Sequence, residues 1–234
     1  MQSLSGRLVA LAMLGLGIAG QAYAQFTIPA GATFDVPAGG TFDAGCTPIQ
    51  LEGSLNVNSG QLATNSNLNI AGTGVLNGLT GSIAVGGNLS SSGTFNAGTS
   101  TVTLTDGCVG NVTQLSGNLV FQNLVLSSST GRSFVIPTGT QITVLGTLTL
   151  QGTPGQSIQL VSSGGGTAVI NLGPAATVNR TFTTVAGNVQ IGATPSAHAI
   201  PTLSTYGLWL LSIVIGSIAL RFHRHQRACV KPVP

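Results

Sequence analysis

Few side chains in this sequence have the chemistry for acid–base, nucleophilic or metal work. Between residues 25 and 199 the carboxylates are Asp35, Asp43, Glu52 and Asp106, the cations are Arg132 and Arg180, and the imidazole is His198. Nucleophilic catalysis needs a base beside a Ser or Cys. His198 stands just before the C-terminal apolar run, and no Lys replaces it. Paired-carboxylate chemistry needs two acids within ~10 Å. Asp35 and Asp43 occupy related units (TFDVPAG and TFDAG) and are the acids whose spacing would let them stack. Solvated turn positions are the simpler account of both. Cys and His lack the spacing of a metal site. Residues 72–78 (GTGVLNG) miss the dinucleotide-binding spacing by one residue and open no helix. The expectation is therefore no catalytic residue, no cofactor, no metal and no enzymatic activity.

Cysteine is the remaining reactive type. Cys46 and Cys108 lie in the central region and Cys229 near the end. In an oxidising compartment a Cys46–Cys108 bridge would close a loop of about 62 residues and stabilise by roughly 4 kcal/mol on the chain-entropy model. Two unpaired core thiols are the alternative.

The elements that must position these residues are short strands. Residues 101–105 (TVTLT), 119–121 (LVF), 124–126 (LVL), 142–144 (ITV), 148–150 (LTL), 158–160 (IQL) and 169–172 (VINL) alternate apolar with polar or small residues, the period-2 pattern of a half-buried strand. Gly, Asn and Ser separate them. No stretch between residues 25 and 199 carries apolar residues at helical spacing. Weak repeats recur. Residues 32–39 are echoed at 40–45 and 93–98, and residues 53–57 at 87–90 and 146–150. Short strands of this kind cannot bury a face alone. Stacked, they form an all-β parallel solenoid, right-handed β-helix-like, with Asn and Ser at the turns forming ladders between coils. At ~20 residues per coil and ~4.8 Å per rung, the body makes roughly eight to nine coils and about 40 Å of rod. The competing architecture is an antiparallel β-sandwich, which also spaces strands every ~8–12 residues.

Composition narrows the class further. Of 234 residues only 5% are charged, 34 are Gly and 42% are hydrophobic. The hydrophobic share argues against disorder, and the glycines follow no collagen period. The sequence pI of about 9.1 suggests a nucleic-acid binder, but the basic residues do not lie together on the body. Arg221, Arg224, Arg227 and Lys231 are all in the tail, and the body's four acids against two arginines give it a net charge of −2. No nucleic-acid partner is expected.

The two ends read as addresses. Arg7, the apolar run of residues 8–20, and the small residues Ala22 and Ala24 before Gln25 form a tripartite signal peptide over residues 1–24, to be cut by signal peptidase before Gln25. The body is placed at 25–194, with a linker at 195–199. Residues 203–222 form a second apolar run, long enough at ~1.5 Å per residue to cross a bilayer. The basic stop of Arg221, Arg224, Arg227 and Lys231 holds residues 221–234 in the cytoplasm, so the body faces outward.

Immediately before that run stand Ile200, Pro201, Thr202, Leu203, Ser204, Tyr206 and Gly207. With the apolar helix and basic end, residues 200–234 resemble the IPTL-CTERM bacterial sorting signals. Tyr206 stands where that family usually has Trp, and Thr205 where an acid is common. The resemblance implies an exported protein, an inner-membrane intermediate and an exosortase-type processing enzyme. Residues 93–104 (GTFNAGTSTVTL), 121–124 and 144–150 also resemble repeats of bacterial surface β-helix proteins. The combined expectation is a cell-surface or matrix protein with a structural or adhesive role in surface attachment or biofilm, contacting extracellular polysaccharide or copies of itself. A polysaccharide-binding or polysaccharide-cleaving β-helix is the alternative.

Overall fold

The computed structural model of the chain describes residues 24–192. All regular structure among them is β. The signal peptide through Tyr23, the linker 195–199, the sorting motif, the apolar run 203–222 and the basic tail lie outside the described residues.

The first face of the solenoid stacks β1 (Phe26–Ile28), β4 (Ile49–Leu51), β7 (Leu68–Ile70) and β10 (Leu89–Ser91). The second stacks β2 (Thr33–Asp35), β5 (Ser54–Asn56), β8 (Val75–Asn77) and β11 (Thr94–Asn96). The third stacks β3 (Thr41–Asp43), β6 (Gln61–Thr64), β9 (Ser82–Val85) and β12 (Thr101–Leu104). Every ladder between these strands is parallel. That overturns the sandwich alternative. Its antiparallel hairpins would pair strands adjacent in sequence, whereas here each strand pairs with the equivalent strand one coil away.

Cross-section changes after β12. The strand β13 (Val112–Ser127) bends around two faces. It pairs with β10, with β12, with β14 (Ser133–Pro137) and with β15 (Gln141–Gln151). Beyond it, β14 pairs with β16 (Ile158–Ser163), and β16 with β19 (Thr183–Val185). On the other side β15 pairs with β17 (Ala168–Leu172) and β18 (Thr177–Thr181), and β17 with β20 (Val189–Ile191). Hydrogen-bonded side chains on successive coils are 19 or 21 residues apart in the first half. The separation reaches 30 between Thr147 and Thr177. The expected ~20-residue coil therefore describes the first half, and the second half winds in longer coils.

Alternation builds the interior. Each three-residue strand turns one or two apolar side chains inward, such as Leu55, Leu76 and the pair Ile49 and Leu51. These join Phe121, Phe134 and Leu160 in one continuous buried cluster. At the N-terminal end Phe26, Phe34 and Phe42, one from each face, meet with ring centroids 4.8 to 5.7 Å apart and close the core. Tilted and edge-on rings at such distances are the favoured arrangements of aromatic pairs.

The repeats noticed in the sequence map onto different faces. Residues 32–39 and 93–98 supply second-face strands, but residues 40–45 supply the third face. The repeating unit is one strand and its turn, three of which complete a coil. Asp35 and Asp43 consequently lie on two faces of the same coil and do not stack. In register, Asp35 faces Asn56, and Asp43 faces Ala63.

The corner between the second and third faces takes a left-handed backbone on every early coil, at Gly39 (φ 70°), Asn58 (φ 53°), Leu79 (φ 49°) and Gly98 (φ 60°). Gly and Asn accept that conformation readily. Leu79 does not, and its side chain is exposed.

Candidate functional site

Two outward columns of polar side chains are each hydrogen-bonded from coil to coil. On the second face Asn56 Nδ2 donates to Asp35 Oδ1 at 2.6 Å, Asn77 Nδ2 to Asn56 Oδ1 at 2.7 Å, and Asn96 Nδ2 to Asn77 Oδ1 at 2.8 Å. On the first face Asn69 Nδ2 donates to Gln50 Oε1 and Ser90 Oγ to Asn69 Oδ1, both at 2.7 Å. These ladders stand on the strands, and the turns before the first face carry one as well: Asn67 Oδ1 accepts from the Asn88 N–H and Asn88 Oδ1 from the Gln114 N–H, both at 2.8 Å.

A third column behaves differently. It lies at the C-terminal ends of β12, β13 and β15, brought side by side because Leu104 pairs with Leu126 and Leu126 with Leu150. Thr105, Ser127 and Gln151 follow these residues and line an open groove of about 290 Å³, with Asp106, Ser129 and Thr153 along its side. Parallel pairing in register puts these three positions on adjacent rungs, ~4.8 Å apart.

Asp106 organises the wall of this groove. Its Oδ1 accepts from Ser128 Oγ at 2.6 Å and Thr130 Oγ1 at 3.0 Å. Its Oδ2 accepts from the Ser129 backbone N–H at 2.8 Å and Ser129 Oγ at 2.9 Å. Partial burial pushes the carboxyl upward, but these four donors outweigh burial and hold its pKa down at about 2. Behind it lies Arg132, with its side chain only 1% exposed. Nε points at Asp106 Oδ1 from 3.5 Å, Nη1 donates to Thr113 Oγ1 at 2.8 Å, and Nη2 to the Gly110 carbonyl at 2.7 Å. A buried guanidinium needs such partners, because its charge is costly to desolvate. Arg132 thereby fastens the loop after Asp106 to the body, and the same loop is fastened again by a disulfide from Cys108 to Cys46, with Cα atoms 5.7 Å apart.

The groove accordingly holds one carboxylate that is ionised at neutral pH and whose oxygens are already occupied, surrounded by hydroxyls and one amide. General acid catalysis needs a proton that is held near working pH and given up on demand, and Asp106 holds none. Among the described residues no group of three or more His, Cys, Asp or Glu is placed to share a metal ion. Sequence reasoning missed this site. Asp106 and Arg132 are 26 residues apart, and nothing local marks either as a partner of the other. A larger hollow beside the disulfide includes Ala24, so its shape depends on residues at the expected signal-peptide cut. Ala24 and Gln25 are exposed and immediately precede β1.

Residues 198–227 match the family model of the IPTL-CTERM motif. This chain carries an IPTL-CTERM sorting signal. The match spans Ile200, Pro201, Thr202, Leu203, Ser204, Tyr206 and Gly207, and runs through the apolar stretch to Arg221, Arg224 and Arg227. An IPTL-CTERM tail implies an exported, surface-directed chain that associates with a membrane and is processed there by an exosortase-type enzyme. No curated protein and no solved structure matches the chain.

Proposed function

We propose that this chain is a structural or adhesive rod of the bacterial cell surface or extracellular matrix, delivered as a membrane intermediate and not acting as an enzyme. In this reading signal peptidase cuts between Ala24 and Gln25, the apolar run 203–222 spans the inner membrane, and Arg221, Arg224, Arg227 and Lys231 stay on the cytoplasmic side. The processing enzyme then cuts near Ile200 to Gly207. The observation that carries the reading is the pairing of a sorting tail with a parallel solenoid whose outward columns, beyond Asp35 at the head of one, are neutral amides and hydroxyls in register. Such a surface makes many weak contacts. Because its charge is sparse, its contacts depend little on ionic strength.

The test combines mass and phenotype. Intact mass of surface-extracted protein is expected to begin at Gln25 and to lack residues 221–234. A deletion strain is expected to lose surface attachment or biofilm cohesion at unchanged growth on polysaccharides. A mature species that retains the basic tail removes the processing step. Normal attachment in the deletion strain removes the adhesive role, and polysaccharide turnover by the purified protein removes the non-enzymatic one.

A further inference from the structure

We propose that the groove formed by Thr105, Ser127 and Gln151 is a binding site for a neutral, hydroxyl-rich saccharide chain lying along the solenoid axis. The proposal rests on the surface-protein reading above and names the ligand class for one site on that surface.

Its starting point is the contrast between columns. Asp35, Asn56, Asn77 and Asn96 are tied to one another by side-chain hydrogen bonds from coil to coil, as are Gln50, Asn69 and Ser90. Thr105, Ser127 and Gln151 occupy adjacent rungs of the same solenoid but are turned into a groove, where their hydroxyls and amide are available. Hydroxyls and amides both donate and accept, so the column matches a ligand that does the same at several successive points.

Other ligand classes fit less well. An anion would meet the ionised Asp106, while Arg132 lies buried behind it and out of reach. A cation would find the Asp106 oxygens already taken by Ser128, Ser129 and Thr130, with no second carboxylate lining the groove. An apolar ligand would find no large apolar side chain along the groove. An added peptide strand needs an open sheet edge, yet β13 lies between β12 and β15, already paired on both sides. What remains is a polyol chain. The groove volume of about 290 Å³ sits at the low end of small-molecule sites, roughly 300–1,000 Å³, which suits a short stretch of a longer polymer. One such contact is weak, and many copies on one surface multiply it.

The experiment is affinity electrophoresis of the exported protein, extracted from the cell surface, in native gels containing dextran, hydroxyethyl cellulose or alginate. Retardation is expected in at least one neutral gel and not in alginate. The double variant Ser127→Val with Gln151→Leu is expected to lower the apparent affinity at least tenfold, while Ser90→Ala on the first face leaves it unchanged. Gln151→Glu places a second carboxylate in the groove at an exposed position. It is expected to abolish retardation without changing the melting temperature, which keeps the test decisive should the double variant fold poorly. Absence of retardation in both neutral gels overturns the proposal. So does undiminished retardation of Gln151→Glu, or binding to alginate as strong as to the neutral polymers. A deletion strain that attaches normally, together with groove-dependent retardation, would remove the adhesive role and leave the binding site standing. Loss of attachment in that strain, with retardation indifferent to the groove variants, would do the reverse.

Discussion

Asn56 donates its side-chain amide to Asp35 Oδ1 at 2.6 Å, and that bond sets the direction of everything stacked behind it. An ionised Asp can only accept. Asn56 must therefore turn its NH₂ toward the N-terminal end and its carbonyl toward Asn77, and Asn77 and Asn96 follow in the same sense. Substituting the middle of such a ladder breaks two bonds, and substituting its head preserves an acceptor. Asn77→Ala is expected to cost about 2 kcal/mol in urea unfolding and Asp35→Asn less than about 1 kcal/mol. Equal costs at the two positions would mean that the ladder is not polarised by Asp35.

The Asp106 carboxyl fixes an acid limit. Its folded pKa of about 2 lies below the ordinary 3.8, so it favours the folded state while ionised. That contribution is present above about pH 5 and is lost as pH falls toward 2, amounting to about 1 kcal/mol once solvent screening of this partly exposed group is counted. Stability measured from pH 6 to 2 should fall by that amount more in the wild-type protein than in Asp106→Asn, whose curve starts lower and lacks this step.

Leu79 carries a left-handed backbone (φ 49°) at a corner where neighbouring coils use Gly98 and Asn58. The side chain is 46% exposed, so it contributes little burial in return. Leu79→Asn is expected to raise stability by about 1 kcal/mol, seen as a higher urea midpoint at constant slope.

The Cys46–Cys108 bridge closes 62 residues. Alkylation of the unfolded, unreduced full chain should label Cys229 alone. Reduction should lower stability by roughly 4 kcal/mol. Labelling at all three cysteines before reduction would contradict the bridge.

A strand inside the solenoid is legible because its burial is local. Residues 101–105, 142–144 and 148–150 alternate in the sequence, and they alternate between interior and surface in β12 and β15. Joins between strands were less legible. Gly117 and Gly146 look like turn residues, yet each lies within one continuous bent strand, β13 or β15. Gly117 has φ 106° and packs against the Ser91 backbone, where a Cβ has no room. Its role comes from the neighbouring coil, about 26 residues away, and no local pattern encodes it. The same holds for Arg132. Only two arginines occur in the body, and a surface position is the ordinary expectation for each. Its burial follows from Asp106, Gly110 and Thr113, all in one stretch of the preceding coil. Leu79 hid the corner motif for the opposite reason, since Leu gives no sign of a left-handed turn.

Tension gives the disulfide a second meaning. A stacked solenoid pulled along its axis yields by peeling coils from an end, and each released residue adds ~3.5 Å of slack. The bridge between Cys46 and Cys108 short-circuits 62 residues, withholding roughly 200 Å of extension at that scale. Load then has a covalent path from the coil around Cys46 to the loop at Cys108, beside the ladders between them. The rod is thereby divided into a stretch from β4 through β12 that the bridge holds to fixed length and extensible stretches before Cys46 and beyond Cys108, with thiol oxidation setting the boundaries.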